Sequence, residues 1–568
     1  LTHLRLDPRS RPLAGGFEGW PERAAELSLV DPCCGAGHFL IEALQILVHF
    51  RRAEEGLTPA EAAAAVLRDN LHGLELDPNC ADVARLGLDM AARQLAGPGT
   101  IAGSLPQARV AQAGRPPEWS LEEGLIHDGG DAETRARITH LHGLLQQAPL
   151  AGSLLQPGAH REAKAGISAE DIEALGRALT GGTIPASLQA AAMLARRYTL
   201  VATNVPFLGH SSMDPQLRSW CAEHFPRSRS DLATVFLERC AGLDAPGGTL
   251  AAVLPSTWLS YTRYFEALRR KMLTTRRWDM VALLGKRAFA ALDGELVQVC
   301  LHISSDQPPD AHTRVPLLDV RDATRGTDKA TRLHEVDAQH VPQLAQRDNP
   351  GSALVVPEAE RDTEGPLLSD FVDCYEGLSR GDTERFSRRF WELPSLDSPA
   401  WRRLVESPEE SGPATGRSSV FRWDGGRGPL VAHPSARIQG QPAWQRQGVV
   451  VSRTHCKATL SRGEAFAQNC VCLVPRDPAD LPAVWAFCNS PEYRRAVSSL
   501  NQKLIKPSGV MDKVVFDRPR WQRRAPDAAA LAARPVCHDP RQADFNGASE
   551  DMRHPLHVAV ARLLGYRW

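Results

Sequence analysis

Three short stretches carry residue types that could act together on a ligand. The first is Asp31-Pro32-Cys33-Cys34-Gly35-Ala36-Gly37. Its glycines let the backbone pass close to a ligand at the carboxyl end of a strand. The second is Glu75, which ends an apolar run 38 residues after Gly37. A carboxylate there can hold the hydroxyl pair of a ribose. Leu40 stands where a dinucleotide fingerprint has its third glycine, so the pattern disfavours NAD. An adenosine ligand without a pyrophosphate suits it better. The third stretch is Asn204-Val205-Pro206-Phe207. The Asn204 side-chain oxygen and the Val205 carbonyl can both accept hydrogen bonds from an exocyclic amino group. Those bonds turn the nitrogen lone pair toward an electrophile. Phe207 can stack on a base that has left its helix. No strong base is required, because the amine can lose its proton after it has attacked the electrophile.

Alternating strands and helices must position these residues. Residues 27–31 form a short apolar run, and a helical pattern starts at Phe39. An Ala-rich helix is expected at about 59–69, a strand at 71–76, and a helix at about 79–95 after Asp77-Pro78. This alternation implies a parallel sheet with helices on both faces. Residues 104–197 break the rhythm and read as a mostly helical, partly loose insertion. Strand character returns at 198–202, 249–254, 278–284 and 297–303, the last two suggesting an antiparallel hairpin at a sheet edge. Residues 306–365 read as a linker with minor structure. From 366 to about 535 the chain is Arg-, Trp- and Gly-rich with short strands, a second domain of mixed type, followed by a C-terminal segment at 536–568.

Composition narrows the classes. The chain has 568 residues, 43% hydrophobic and 23% charged, as soluble globular proteins have. Length alone suggests about two to four domains. The net charge of -1 excludes a wholly basic coat but leaves room for a local basic cleft. No apolar run is long enough to span a membrane. Twelve scattered cysteines without a CxxC pair read as reduced thiols of a cytoplasmic protein, with no zinc ribbon. His127, His140, His142 and His160 lack ligand spacing with Cys or acid partners, so no metal site is expected. His38 reads as a solvated residue at a helix start. Eight basic residues between Tyr261 and Arg287 face only Glu266 and Asp279, which suits a DNA partner.

The ordered motifs resemble those of the amino-group DNA methyltransferases, in their gamma-type arrangement. These enzymes use S-adenosylmethionine to make N6-methyladenine. More narrowly, the chain is similar to the large phage-defence methylases of the BREX and DISARM systems, the DISARM adenine methylase above all. Asn204 to Gly209 followed by Ser230 to Cys240, the Gly377-Leu378-Ser379-Arg380-Gly381-Asp382 segment, Leu500 to Lys503, and the end Val560 to Trp568 carry this likeness. It implies a Rossmann-like, S-adenosylmethionine-dependent α/β domain at 1–305 and an α+β target-recognition domain. It implies that Asp31, Pro32, Cys34 and Gly35-Ala36-Gly37 surround the methionine part of the cofactor. Glu75 would hold the ribose, with Leu76 and Asp77 along the adenine. Asn204, Val205 and Pro206 would grip the target amine of double-stranded DNA, and Phe207 would stack on the flipped base. Arg380, Asp382, Arg453 and Lys503 are candidate DNA contacts. Other defence proteins are implied as partners.

The chain departs from the family at several places. Val205 replaces a usual Pro, which leaves the carbonyl available. Val110-Ala111-Gln112-Ala113-Gly114 lacks the acid expected after the third strand. The chain starts at Leu1, and relatives carry a further segment before the glycine motif, so the expectation is a fragment of a longer enzyme. Two other readings remain open at this level. One is a DNA-binding subunit whose methylase fold is inactive or needs a partner. The other is a methylase of another amine, such as cytosine N4 or an RNA base.

Overall fold

The computed structural model describes residues 12–13, 16–97, 105–127, 129, 131–158, 167–260, 262–288, 297–323, 326–355, 365–396, 398–501, 506–527, 531, 537, 539 and 542–544. The chain divides into two compact units, Leu1–Leu259 with Arg263–Ala353, and Ser260–Thr262 with Leu354–Trp568.

Unit 1 is built on a nine-stranded sheet. Its strands are β1 (Leu29–Asp31), β2 (Leu71–Glu75), β3 (Arg109–Gln112), β4 (Tyr198–Asn204), β5 (Asp244–Pro255), β6 (Arg277–Gly285), β7 (Val299–Ser305), β8 (Arg314–Asp319) and β9 (Gln339–Pro342). Their order is β3-β2-β1-β4-β5-β7-β6-β8-β9. β3, β2, β1, β4 and β5 run parallel, and β7 runs antiparallel to both β5 and β6. The expected β6–β7 pair therefore forms, but inside the sheet. β7 lies between β5 and β6, and β8 and β9 continue the sheet beyond β6.

Local chemistry explains the helices beside β1 and β2. α1 (His38–Glu55) begins at Gly37 and stops at Gly56, both left-handed. Its Leu40, Leu44, Leu47 and Val48 are buried at helical spacing. α2 (Pro59–Asp69) starts with a capping box between Thr58 and Glu61. α3 (Pro78–Ala96) is capped by Asp77, whose carboxylate accepts from the Asn79 N–H at 2.7 Å, with Pro78 in the first turn. The cluster of Leu29, Leu40, Leu44, Val66, Leu67, Leu71, Ala84 and Leu88 locks these helices onto the sheet.

Two expectations need correction here. The segment 306–365 is not a linker: β8 and β9 belong to the sheet, because Val315, Leu317, Leu318, Val320 and Val341 are buried in it. Unit 1 therefore runs to Ala353. The insertion also begins later than residue 104, since β3 lies at Arg109–Gln112, and its described part is packed. Trp119, Ile138, Leu141, Leu145, Ile172, Leu175 and Leu188 make a core of their own. The helices there are Leu121–Leu125, Ala132–Leu145, Ala148–Ala151, Ala169–Thr180 and Ala186–Ala195.

Unit 2 is α+β. Val372–Glu376, Gln447–Ser452, Ala458–Arg462 and Cys470–Pro475 form one four-stranded sheet. Ser387–Arg389, Trp401–Val405, Ser419–Arg422 and Ala465–Phe466 form another. Helices Leu481–Cys488, Pro491–Leu500 and Arg518–Arg524 complete it. The segment 545–568, including the Val560 to Trp568 motif, lies outside the described residues, as do Lys503 and His160.

Candidate active site

The strand order reverses between β1 and β4, which are parallel neighbours. In open α/β sheets the crevice at the carboxyl ends of such strands receives ligands. The register pairs Leu29 with Leu200 and Val30 with Val201. Asn204 therefore stands two residues farther along than Asp31, roughly 7 Å toward the carboxyl side. Both expected motifs emerge on one edge of the sheet.

Asp31 ends β1 and is buried. Its Oδ1 accepts from the Cys33 N–H at 3.1 Å. Burial pushes its carboxyl up from 3.8 to about 7; the Thr203 hydroxyl and the Cys33 N–H pull down, and the Glu75 charge adds to the rise. The group therefore changes protonation near neutral pH. Pro32 and Cys34 are buried, and Ala36 is half-buried. Gly35 and Gly37 have φ of +52° and +82°, a conformation that favours glycine. A Cβ at Gly35 would meet nothing within 4 Å, so this side of the loop is open.

Glu75 ends β2, and its carboxylate closes on the glycine loop. It accepts from the Gly35 N–H at 2.8 Å, the Leu76 N–H at 2.8 Å and the Asp77 N–H at 3.0 Å. Leu76 is exposed beside it, while the Asp77 carboxylate is engaged in capping α3. On β3, Gln112 pairs with Glu75 in register. Its amide oxygen accepts from Arg115 Nε, so the side chain at this strand end is tied down. Gly73, two residues before Glu75 on β2, lies close to the glycine loop. A Cβ there would lie 2.8 Å from Leu40 Cδ1 and 3.2 Å from Cys34 Sγ. A glycine inside a strand run is the signal, since it marks a close approach.

Asn204 is the last residue of β4, and it is exposed. Val205 is buried and Pro206 exposed. Phe207 is half-buried, packed against the cluster of Val253, Ala282, Leu284, Val299, Leu318 and Val320. Its ring is thus held from behind by β5 to β8. His38 is exposed as the first residue of α1.

In unit 2 the structure gives the expected DNA contacts internal partners. Arg380 donates to Ser387 Oγ at 2.7 Å and to Glu406 at 2.8 Å. Asp382 caps the turn Thr383–Phe386 by accepting from the Arg385 N–H at 3.1 Å. Arg453 bonds Glu376 and donates to the Lys506 carbonyl at 2.7 Å. Exposed Arg388 and Arg389 lie nearby, each 5.9 Å from an indole ring, Trp401 and Trp391. Glu384 and Glu392 accept at most backbone-level bonds from this pair: Arg388 bonds the Glu384 carbonyl, and Glu392 accepts from the Arg389 N–H. In the basic run of unit 1, Arg269 and Arg276 are buried. Arg269 caps the carbonyls of Trp258 and Gly351, and Arg276 pairs with Asp244. Among the described residues no group of His, Cys, Asp and Glu is placed to hold a metal ion. No described helix is long and apolar enough to cross a membrane.

A doubly wound sheet with a glycine loop at its switch point, a strand-end carboxylate and an Asn-Val-Pro-Phe segment defines a Rossmann-like methyltransferase fold. Residues 69–289 match the family described as Eco57I restriction-modification methylase. The chain is similar to the adenine-specific methyltransferase BrxX of Escherichia coli O9:H4 (strain HS), 28% identical over 301 residues, 48% of this chain and 24% of that protein. It is also similar to the adenine-specific methyltransferase PglX of Lacticaseibacillus casei (strain Zhang), 25% identical over 402 residues, 66% of this chain and 32% of that protein. The chain thus spans a quarter to a third of the length of these curated relatives. Among solved structures, the type IIL restriction-modification enzyme MmeI in complex with DNA matches with a TM-score of 0.51 and 12% identity, covering 87% of this chain and 62% of that chain. The DrdV–DNA complex matches with a TM-score of 0.50 and 13% identity, covering 90% of this chain and 54% of that chain. At such identities the likeness is one of fold.

Proposed function

We propose that this chain is the methyl-transferring and target-reading part of an adenine-specific DNA methyltransferase of a phage-defence system. It moves a methyl group from S-adenosylmethionine to N6 of adenine and so marks self DNA. One observation carries the reading: β1 and β4 are parallel neighbours at the switch point, with Asp31 and Asn204 at the same edge. The names of the curated relatives and the restriction-modification family support it.

The residues present suit the cofactor. The loop is open at Gly35, where a Cβ would meet nothing within 4 Å, and Asp31 and Glu75 put two carboxyl groups beside it. Glu75 would exchange its bond from Gly35 for the ribose hydroxyls. When bound, S-adenosylmethionine supplies an electrophilic methyl group. The chain's own part is to hold the amine. Asn204 Oδ1 and the Val205 carbonyl accept the two N6 hydrogens, which aims the lone pair at the methyl carbon. Pro206 has no N–H, so its backbone offers no competing donor there. After transfer, the N6 nitrogen sheds one proton to solvent. Phe207 stacks on the extruded adenine, which offsets part of the few kcal/mol that flipping costs. Exposed arginines of unit 2, Arg388 and Arg389 among them, contact phosphates.

The test is single-turnover transfer of a labelled methyl group to duplex DNA by the full-length protein, with base-modification mapping of the product. Wild type should label adenine N6. Asn204→Ala should lose at least about 100-fold in rate, the scale of one lost oriented contact at the reacting atom. Equal labelling by the two proteins would overturn the reading, and so would a methyl group on another base.

A further inference from the structure

A cavity of about 530 Å³ opens at the other edge of the unit 1 sheet. It is lined by the amino-terminal residues of β2 and β3, by α3, and by the insertion helices Ala169–Thr180 and Ala186–Ala195. Those strands run parallel, so the cavity lies at the end of the sheet opposite Glu75 and Gln112. Its size is that of a small-molecule site.

The charge of the lining is one-sided. Arg85, Arg109, Arg177 and Arg196 line the cavity together with one carboxylate, that of Glu173, and Arg85 also pairs with Asp82 beside it. Arg196 and Arg177 share Glu173 at 2.5 and 3.6 Å. Arg85 covers the Val110 carbonyl at 3.0 and 2.8 Å. Arg109 has a different kind of partner: its Nη1 lies 3.4 Å from Nε2 of buried His72. The Nδ1 of His72 lies 3.3 Å from the Leu29 carbonyl. Burial, with Arg109 and Arg196 adding to it, pushes this imidazole down to about 4, so it is neutral at physiological pH. Its Nδ1–H donates to Leu29, and its Nε2 accepts from Arg109. The Arg109 charge is thus oriented by a neutral group rather than neutralised. The cavity also offers an apolar floor, Ile184, Ala192 and Met193, and the amides of Gln107 and Gln189.

We propose that this cavity binds a phosphate-bearing small molecule of nucleotide size. Arg109 and Arg196 take the phosphate oxygens, because guanidinium forks match them in shape and charge. The apolar floor takes the rest of the ligand. This is a concave site at the amino ends of β2 and β3, so it suits a small anion rather than a duplex. The ligand would join the insertion to the sheet beside Arg196, two residues before β4 begins. The proposal does not depend on the methyl-transfer reading.

The test uses the full-length protein with S-adenosylhomocysteine in excess, so that an adenine ligand cannot report on the other edge. ADP and ribose 5-phosphate are titrated by calorimetry, with adenosine as the phosphate-free control. Hydrogen exchange then maps the wild-type footprint. The expected result is that a phosphorylated probe binds, adenosine does not, and protection falls on 169–180 and 186–195. Arg109→Gln and Arg196→Gln should each weaken that probe at least tenfold and leave S-adenosylhomocysteine affinity unchanged. Absence of binding by both phosphorylated probes overturns the proposal. So does a footprint at 31–37 instead of the insertion helices. So does a loss of duplex-DNA affinity in the two variants with no change in ADP binding, which would make the arginines a DNA contact. The wild-type footprint decides even where a variant fails to fold, and it reads the same whether or not the protein methylates DNA.

Discussion

The Gly35 N–H donates to Glu75 Oε2 at 2.8 Å across 40 residues of sequence. One carboxylate thereby joins the carboxyl end of β2 to the loop that follows β1. The same carboxylate is the group that a ribose would claim. On the proposed reading, cofactor binding and loop order would be linked through this single side chain.

Glu75→Gln should weaken S-adenosylhomocysteine binding by roughly 10- to 100-fold. Hydrogen bonds to a charged group contribute about 1.5–3 kcal/mol, and a neutral amide retains only part of that. Calorimetry on the purified protein reads the change. An unchanged affinity would remove Glu75 from the cofactor site.

Phe207→Ala should act twice. The side chain packs against the cluster that contains Val253, Ala282 and Leu318, so its loss should cost roughly 1–3 kcal/mol of stability for a half-buried side chain. Loss of base stacking should weaken duplex binding by a further amount of about 1–3 kcal/mol. Denaturant melts separate the first effect, and DNA titration below the melting range reads the second.

Asp31 predicts a pH dependence of stability. Its carboxyl titrates at about 7 in the fold against 3.8 for the ordinary group. The folded state therefore holds the proton more tightly, and the associated stability is complete below about pH 4. It declines as pH rises toward 7, by a total on the order of 4 kcal/mol. Asp31→Asn keeps an acceptor for the Cys33 N–H and never ionises. Its melting temperature relative to wild type should rise from pH 4 to 7 and then level off. A difference that stays flat over that range would refute the account.

Gly73→Ala should destabilise unit 1 by about 1–3 kcal/mol, the usual cost of overpacking. Its Cβ would press on Leu40 Cδ1 at 2.8 Å and on Cys34 Sγ at 3.2 Å. Because Cys34 belongs to the glycine loop, cofactor affinity should fall with the melting temperature. The change Leu71→Val, at the start of the same strand and paired with Leu29, is the control: it should lower stability with a smaller effect on affinity.

The sequence by itself determined the local grammar of this protein. Gly35 and Gly37 after an apolar run, Asp77-Pro78 before a helix, and the order of Asp31, Glu75 and Asn204 along the chain identify strand ends and helix starts. These are properties of neighbouring residues, so they are legible without coordinates. Tertiary structure decided what lies beside what. The pairing of β1 with β4, the clamp between Glu75 and Gly35, and the packing of Phe207 all join residues far apart in sequence. It also reversed local impressions. The polar-looking run after residue 305 hides Val315, Leu317 and Val341, which complete a sheet only when β6 is there to receive them. Arg380 and Arg453 have the composition of DNA contacts, yet Glu406 and Glu376 claim their charges. The type of a charged residue is written in the chain, but its partner is chosen by distance in the fold, because electrostatic and hydrogen-bond energies depend on separation and burial.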